Sequence, residues 1–188
     1  MDEHAVAQNR SKLGGTIEVD ETFIGARQRG HQHKVGHPEC KKEVVIGIRQ
    51  RGGELRFFHA EDVKSGTLAK YIRENISTDV DVIMTDEFKG YPKALHDAGV
   101  LAEHKTVCHK DGVYVDGDIY TNSAESAFSL LKRGIMGTWH RLSAKHLQAY
   151  CDEMCFRFNN RKNPYLFRDT IQRMLSADNL EFKELIAA

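Results

Sequence analysis

The stretch Thr16-Ile17-Glu18-Val19-Asp20-Glu21-Thr22-Phe23 has the alternation of apolar and polar side chains that is typical of a β-strand covered on one face. Its apolar face consists of Ile17, Val19 and Phe23. Asp20 is therefore expected on the opposite face, together with Glu18 and Thr22. A carboxylate beside a packed sheet must be solvated, paired or bound to a metal ion. This strand thus predicts a sheet and, on its polar face, an acid that needs compensation.

Outward from this strand, the chain has the pattern of an antiparallel meander. Residues 25–42 are rich in Arg, His, Lys and Gly and predict a mobile basic loop. Two apolar segments, 42–49 and 54–59, then flank Gly52-Gly53, a pair that permits the positive φ values of a tight hairpin turn. We therefore expect three consecutive antiparallel strands.

The apolar spacing changes to a helical period over residues 65–76, with Ser65 as the expected N-cap. Residues 80–85 form a short apolar run that ends at Asp86, as expected of a buried strand parallel to the first. The remaining predicted elements are a helix over 91–98, a strand over 105–108 and helices over 123–133, 144–159 and 166–175.

This order of elements predicts an RNase H-like α/β fold. Its mixed central sheet has three antiparallel strands followed by parallel strands, and helices flank the sheet. We expect one domain over residues 15–176, between an N-terminal tail at 1–14 and a C-terminal tail at 177–188.

The overall composition excludes several classes of protein. The 188 residues are 40% hydrophobic and 29% charged, and no apolar run approaches the roughly 18–20 residues of a membrane span. Residues 1–13 lack the basic and apolar segments of a secretory signal. The four cysteines form no C-x-x-C pair, which disfavours a disulfide framework or a zinc ribbon. A cytoplasmic protein with reduced thiols and no membrane association is expected.

The charges cancel overall but are segregated along the chain. Residues 1–125 carry 17 basic and 21 acidic side chains, whereas residues 126–173 carry nine basic and three acidic ones. Lys and Arg bind nucleic-acid phosphates without needing a particular base sequence. The basic segment therefore predicts a surface for DNA.

Asp20 and Asp86 form the core of a candidate metal site. If their strands are neighbours, the two carboxylates converge, and they repel each other unless a divalent cation such as Mg²⁺ neutralises them. Taken singly, each has a simpler interpretation, because Asp86 can merely end its strand and Asp20 can face solvent.

Glu125 is a third candidate acid, one turn into a predicted helix. Lys132 follows it by seven residues, or almost two turns, and so shares its helix face. The spacing Asn122-x-x-Glu125 is also that of a capping box, in which Glu125 would satisfy backbone N–H groups. The helix alone leaves both interpretations open.

The three acids, separated by 66 and 39 residues and followed by Lys132, resemble the DDE signature of transposases and retroviral-type integrases. The local sequences narrow this resemblance to the ISXO2-like transposase domain of bacterial insertion sequences. They are residues 15–25, 85–91, 120–126, 130–140 and 156–161. These blocks occur in the same order as in that family, and the resemblance extends over about residues 14–175.

The resemblance implies Mg²⁺-dependent or Mn²⁺-dependent DNA cleavage and strand transfer, in the bacterial cytoplasm or nucleoid. Asp20, Asp86 and Glu125 would hold two metal ions, Lys132 would contact a phosphate, and Asn122 has a secondary catalytic role. Transposon ends and target DNA would be the partners of a homo-oligomer. Full-length relatives carry an N-terminal DNA-recognition region, whereas residues 1–14 alone precede the first strand here, so we expect a catalytic domain.

Candidate DNA contacts lie in the basic segment. They are Lys132, Arg133, Trp139, His140, Arg141, Lys145, Arg157, Arg161 and Lys162. Trp139 can stack on a base or can anchor the protein core. Each basic residue can equally belong to an ordinary solvated face.

Two alternatives to an active transposase remain. One is a catalytically silent DNA-binding remnant, and the other is an RNase H-like nuclease.

The remaining histidines and cysteines suggest no second site. His109 can approach the acids or be an ordinary loop histidine. A zinc site is disfavoured at His31, His33, His37 and Cys40, because their spacing matches no common finger. Cys151 and Cys155 lie four residues apart on one predicted helix face, which indicates buried apolar thiols.

Overall fold

The computed structural model describes residues 11–25, 42–107, 122–139 and 142–178, together with positions 181 and 183. A five-stranded sheet forms the centre of this part of the chain. Its strands are β1 (Thr16–Ile24), β2 (Glu43–Gln50), β3 (Leu55–Ala60), β4 (Val82–Thr85) and β5 (Glu103–Thr106). In the order β3-β2-β1-β4-β5, the first three strands are antiparallel, while β4 is parallel to β1 and β5 to β4. This topology confirms the predicted RNase H-like fold.

The helices follow in the predicted order. They are α1 (Ser65–Asn75), α2 (Gly90–Ala98), α3 (Asn122–Gly134), α4 (Leu147–Asn159) and α5 (Leu166–Ser176). A π-helical turn over Ile135–Trp139 extends α3, and a 3₁₀ turn over Ala144–His146 precedes α4. The prediction that Ser65 is the N-cap of α1 is wrong, because the cap position is Lys64 and carries no side-chain cap bond.

Two apolar layers cover the two faces of the sheet. Helices α1 and α2 supply one layer, which receives Ile17 and Val19 of β1. Helices α3 and α4 supply the other, which receives Ile24 of β1. The polar face of β1 is therefore covered too, and Glu18, expected there beside Asp20, has no exposed surface. Phe23, expected in the core, is 49% exposed.

Side chains of α4 cover the free edge of β3. Gln148 accepts a hydrogen bond from His59 N and donates one to Phe57 O, and Asn159 makes the same two kinds of bond with the backbone of Leu55. The Cys155 thiol lies 3.2 Å from Phe57 N. Cys151 and Cys155 are both free and buried, which confirms the prediction for these thiols.

The ends of the described region differ in how they pack. Leu13, placed in the tail by the predicted boundary, is 3% exposed and belongs to the first apolar layer. Helix α5, in contrast, buries none of its residues. No helix within the described ranges is long and apolar enough to cross a membrane.

Candidate active site

The pairing of β1 with β4 determines where the first two acids lie. The strands run parallel with Glu18 opposite Met84. Side chains two residues apart point to the same face of a strand, and Asp20 and Asp86 each follow this pair by two residues. The register, continued along both strands, thus places Asp20 level with Asp86, directly after the end of β4. Both side chains are partly buried.

Helix α3 brings Glu125 to the same face of the sheet. Ala124, Ala127 and Phe128 are its buried residues next to Glu125, which itself is exposed. The Phe128 ring stacks on Phe57 with centroids 5.0 Å apart, and the backbone N–H of Ala124 donates to Glu18 Oε2 at 3.0 Å. These contacts hold the first turn of α3 against β1.

The electrostatics of Asp20 show that Asp86 and Glu125 both act on this carboxyl group. Burial is the main cause that raises the pKa of Asp20 to about 7, and the negative charges of Glu21, Asp86 and Glu125 raise it further. A hydrogen bond from the backbone N–H of Glu21, at 2.9 Å, opposes this rise. Asp20 therefore lies in a region of accumulated negative charge.

The chemistry of these donors fits a divalent cation of the Mg²⁺ type. Carboxylate oxygens are the ligands that Mg²⁺ and Mn²⁺ prefer, and a cation would relieve the repulsion felt by Asp20. Among the residues that the structure describes, however, no group of three or more His, Cys, Asp or Glu side chains is arranged so that it could hold a metal ion. The metal-binding role of Asp20, Asp86 and Glu125 stays a prediction.

The structure also shows a pair of polar residues near the acids that sequence reasoning missed. The hydroxyl of Tyr91, which has no exposed surface, donates to Glu21 Oε2. Burial raises the pKa of Glu21, and the charge of Asp86 raises it further. Both residues lie inside the sequence blocks that resemble the transposase family. This resemblance was the feature of the sequence that could have indicated them as functional residues.

A second missed pair is Glu18 with Arg51. Arg51 Nε donates to Glu18 Oε1 at 2.8 Å, and Arg51 Nη2 lies 2.9 Å from Met84 Sδ. The signal for Glu18 was its position two residues before Asp20 on the same face of β1.

The predicted DNA contacts are distributed over α3, the turn before α4, and the end of α4. The exposed members are Lys132, Arg133, Lys145, Arg157, Arg161 and Lys162. Arg157 pairs with Glu153 at 2.6 Å, and the Arg161 guanidinium lies 4.0 Å from the centroid of the Phe158 ring. DNA contact by these residues stays a prediction.

Trp139 fits the anchor interpretation. It is partly buried against the second apolar layer, with its ring 4.9 Å from that of Tyr150. A Cβ on Gly134 would lie 2.9 Å from the indole, so the glycine makes room for it.

Several predicted residues lie outside the described part of the chain. They are His31, His33, His37, Cys40, His109, His140 and Arg141. Asn122 begins α3, but its side chain is also outside the described part.

Two transposase complexes are among the solved structures to which this chain is similar. One is the strand transfer complex of the Drosophila P element transposase, with a TM-score of 0.30, 10% identity and coverage of 90% of this chain and 47% of that chain. The other is a pre-cleavage Mos1 transpososome, with a TM-score of 0.34, 9% identity and coverage of 94% of this chain and 60% of that chain. The chain thus spans between about half and three-fifths of their lengths.

A comparison with curated proteins found no match. The family profile of the ISXO2-like transposase domain, in contrast, matches residues 12–159, which include β1 to β5, α3 and α4. Because this match extends over most of the chain, the protein belongs to the ISXO2-like transposase domain family.

Proposed function

We propose that this chain is the catalytic domain of an insertion-sequence transposase that cleaves and transfers DNA strands with the help of divalent cations. The observation that carries the proposal is that two further acids act electrostatically on the partly buried Asp20 of β1. They are Asp86, directly after the neighbouring parallel strand β4, and Glu125 of α3. Membership of the transposase family supports the class of reaction.

The three acids share one role in this proposal. Asp20, Asp86 and Glu125 would together hold the divalent cations. Bound Mg²⁺ or Mn²⁺ would supply charge neutralisation at the phosphoryl oxygens and a more acidic attacking hydroxyl. The sheet holds Asp20 and Asp86 on a rigid base, and the packed first turn of α3 does the same for Glu125.

The DNA itself would be held by the basic surface that begins on α3. Lys132 lies two turns after Glu125, and Arg133 follows directly. Phosphate contacts from such residues place a duplex in register without reading its bases. Transposon ends and target DNA are the proposed substrates, bound by more than one copy of the chain.

A strand-transfer assay with labelled oligonucleotide ends tests this function. Asp20→Asn and Glu125→Gln should each lower the Mg²⁺-dependent rate by more than about 100-fold, since even outer-shell partners of a metal site are worth about 10–100-fold. Glu103→Gln is a matched control, because Glu103 is an exposed acid on β5 that pairs only at the surface with Lys105. It should retain the wild-type rate.

The same assay separates the alternatives. A catalytically silent DNA-binding protein would bind the ends equally well with Mg²⁺ or with a chelator and would yield no product. An RNase H-like nuclease would cleave an RNA·DNA hybrid faster than a duplex end. Wild-type activity in Asp20→Asn would contradict the proposed catalytic site.

A further inference from the structure

Glu18 carries a carboxylate with no exposed surface at the centre of the fold. Both of its oxygens have partners: Oε1 accepts from Arg51 Nε at 2.8 Å, and Oε2 accepts from the backbone N–H of Ala124 at 3.0 Å. A buried carboxylate is unfavourable unless it is paired and hydrogen-bonded. Glu18 meets that condition by connecting separate elements of the fold.

The contacts of Glu18 and of its partner Arg51 reach the segments that carry the proposed catalytic acids, although Arg51 itself lies in the turn after β2. Glu18 itself precedes Asp20 by two residues on β1. Arg51 Nη2 lies 2.9 Å from the Sδ atom of Met84. Met84 lies on β4, two residues before Asp86. Ala124 directly precedes Glu125 on α3. One ion pair thus joins three backbone segments, each within two residues of an acid.

The bond to Ala124 also fixes the start of α3. Ala124 is the third residue of that helix, and the first N–H groups of a helix have no acceptor within it. A negative charge at this end is favoured by the helix dipole. Glu18 therefore acts as a cap supplied by the sheet, which sets how far the first turn of α3 lies from β1.

We propose that Glu18 is a positioning residue, whose ion pair with Arg51 and hydrogen bond to Ala124 set the separation of Asp20, Asp86 and Glu125 for cation binding. This inference rests on the proposed function. Glu18 contacts neither the cation nor the DNA in this proposal. It acts through the three backbones that it connects.

Cation affinity of the full 188-residue chain tests the proposal without relying on activity. Titration calorimetry with Mn²⁺ alone should show affinity weakened by about 10–100-fold in Glu18→Asp and Glu18→Gln, the range known for outer-shell partners of metal sites. The aspartate keeps the charge but is one methylene shorter, so it cannot reach both Arg51 and Ala124. Amide hydrogen exchange at Ala124 should accelerate in both variants.

Glu43→Gln is the matched control. Glu43 is a partly buried acid of the same sheet that pairs with His59 at 2.8 Å, and it lies at the end of β2 beyond the acids. Its loss should change Mn²⁺ affinity by less than about twofold. If the Glu18 variants fail to fold, Arg51→Lys takes their place, since a lysine cannot contact Glu18 and Met84 at once.

Two results would overturn the proposal. One is wild-type Mn²⁺ affinity in Glu18→Asp, which would show that the reach of the Glu18 side chain does not set this affinity. The other is wild-type affinity in folded Arg51→Lys. Asp20→Asn distinguishes these failures from a failure of the proposed function. Unchanged Mn²⁺ affinity in that variant would show that Asp20 is not part of a cation site.

Discussion

Gly47 is the residue that allows helix α3 to approach the sheet. It pairs with Asp20 across β1 and β2, and a Cβ at this position would lie 2.6 Å from the tip of the Phe128 ring and 3.1 Å from the Phe57 ring. Because these two rings stack on each other and are buried, neither can move aside freely. The distance between α3 and the sheet therefore depends on the absence of a side chain at residue 47.

Gly47→Ala is predicted to lower the free energy of unfolding by about 1–3 kcal/mol, the usual cost of overpacking a core. Urea denaturation measures this change. Gly66→Ala is the control, since a Cβ there meets nothing within 4 Å and the site lies in the first turn of α1. It should raise stability by about 0.5–1 kcal/mol. Equal effects of the two substitutions would contradict the packing argument.

The element that decides how the sheet ends is α4. An edge strand exposes a row of unpaired N–H and C=O groups, which favours pairing with other chains. At the β3 edge, Gln148 and Asn159 satisfy such groups from α4. The opposite edge, β5, has four residues with the charged side chains Glu103 and Lys105. The two edges are thus protected in different ways.

Asn159→Leu should lower the free energy of unfolding by about 1–3 kcal/mol, because it leaves buried backbone groups of Leu55 without partners. Gln148→Leu should act similarly at Phe57 and His59. Thermal unfolding monitored by circular dichroism measures both, and aggregation on heating should increase. Arg157→Gln removes only an exposed pair on the same helix and should cost less than about 0.5 kcal/mol. A comparable loss in Arg157→Gln would argue against edge protection.

At the scale of the whole described fold, the sheet separates the basic residues of α3 that are predicted to contact DNA from the lysines of α1 and α2. Helix α3, with Lys132 and Arg133, packs on one face, whereas α1 and α2, with Lys70 and Lys93, pack on the other. The net charge of zero thus conceals a local basic surface. DNA attraction should depend on which lysines are removed, and not only on how many.

The salt dependence of duplex binding tests this separation of charge. Lys132→Ala with Arg133→Ala should weaken binding to any duplex and reduce the slope of log affinity against log salt by about 0.9 per lost phosphate contact. Lys70→Ala with Lys93→Ala removes the same charge from the opposite face and should leave the slope unchanged. Fluorescence anisotropy over a range of salt concentrations measures both slopes. Equal slopes in the two double variants would indicate that net charge alone governs binding.

Local patterns in the chain were sufficient to predict the order of elements and the fold. Alternation in β1, the apolar run of β2 and the helical spacing of α1 each depend on neighbouring residues, so they can be read without tertiary structure. Their bounds differ by a few residues because helix ends depend on contacts from elsewhere. The N-cap position of α1 is Lys64 rather than Ser65, and no side chain caps the helix there.

The sequence by itself determined the family, the order of elements along the chain and the three acids that are worth testing, because each depends on residue type and spacing along the chain. Only the tertiary structure decided which faces are covered. Helix α3 covers the polar face of β1, so Glu18 is a buried partner of Arg51 and Ala124, while Phe23 is left half-exposed. Burial results from contacts between residues about 100 positions apart, and no local pattern of apolar and polar residues records such contacts.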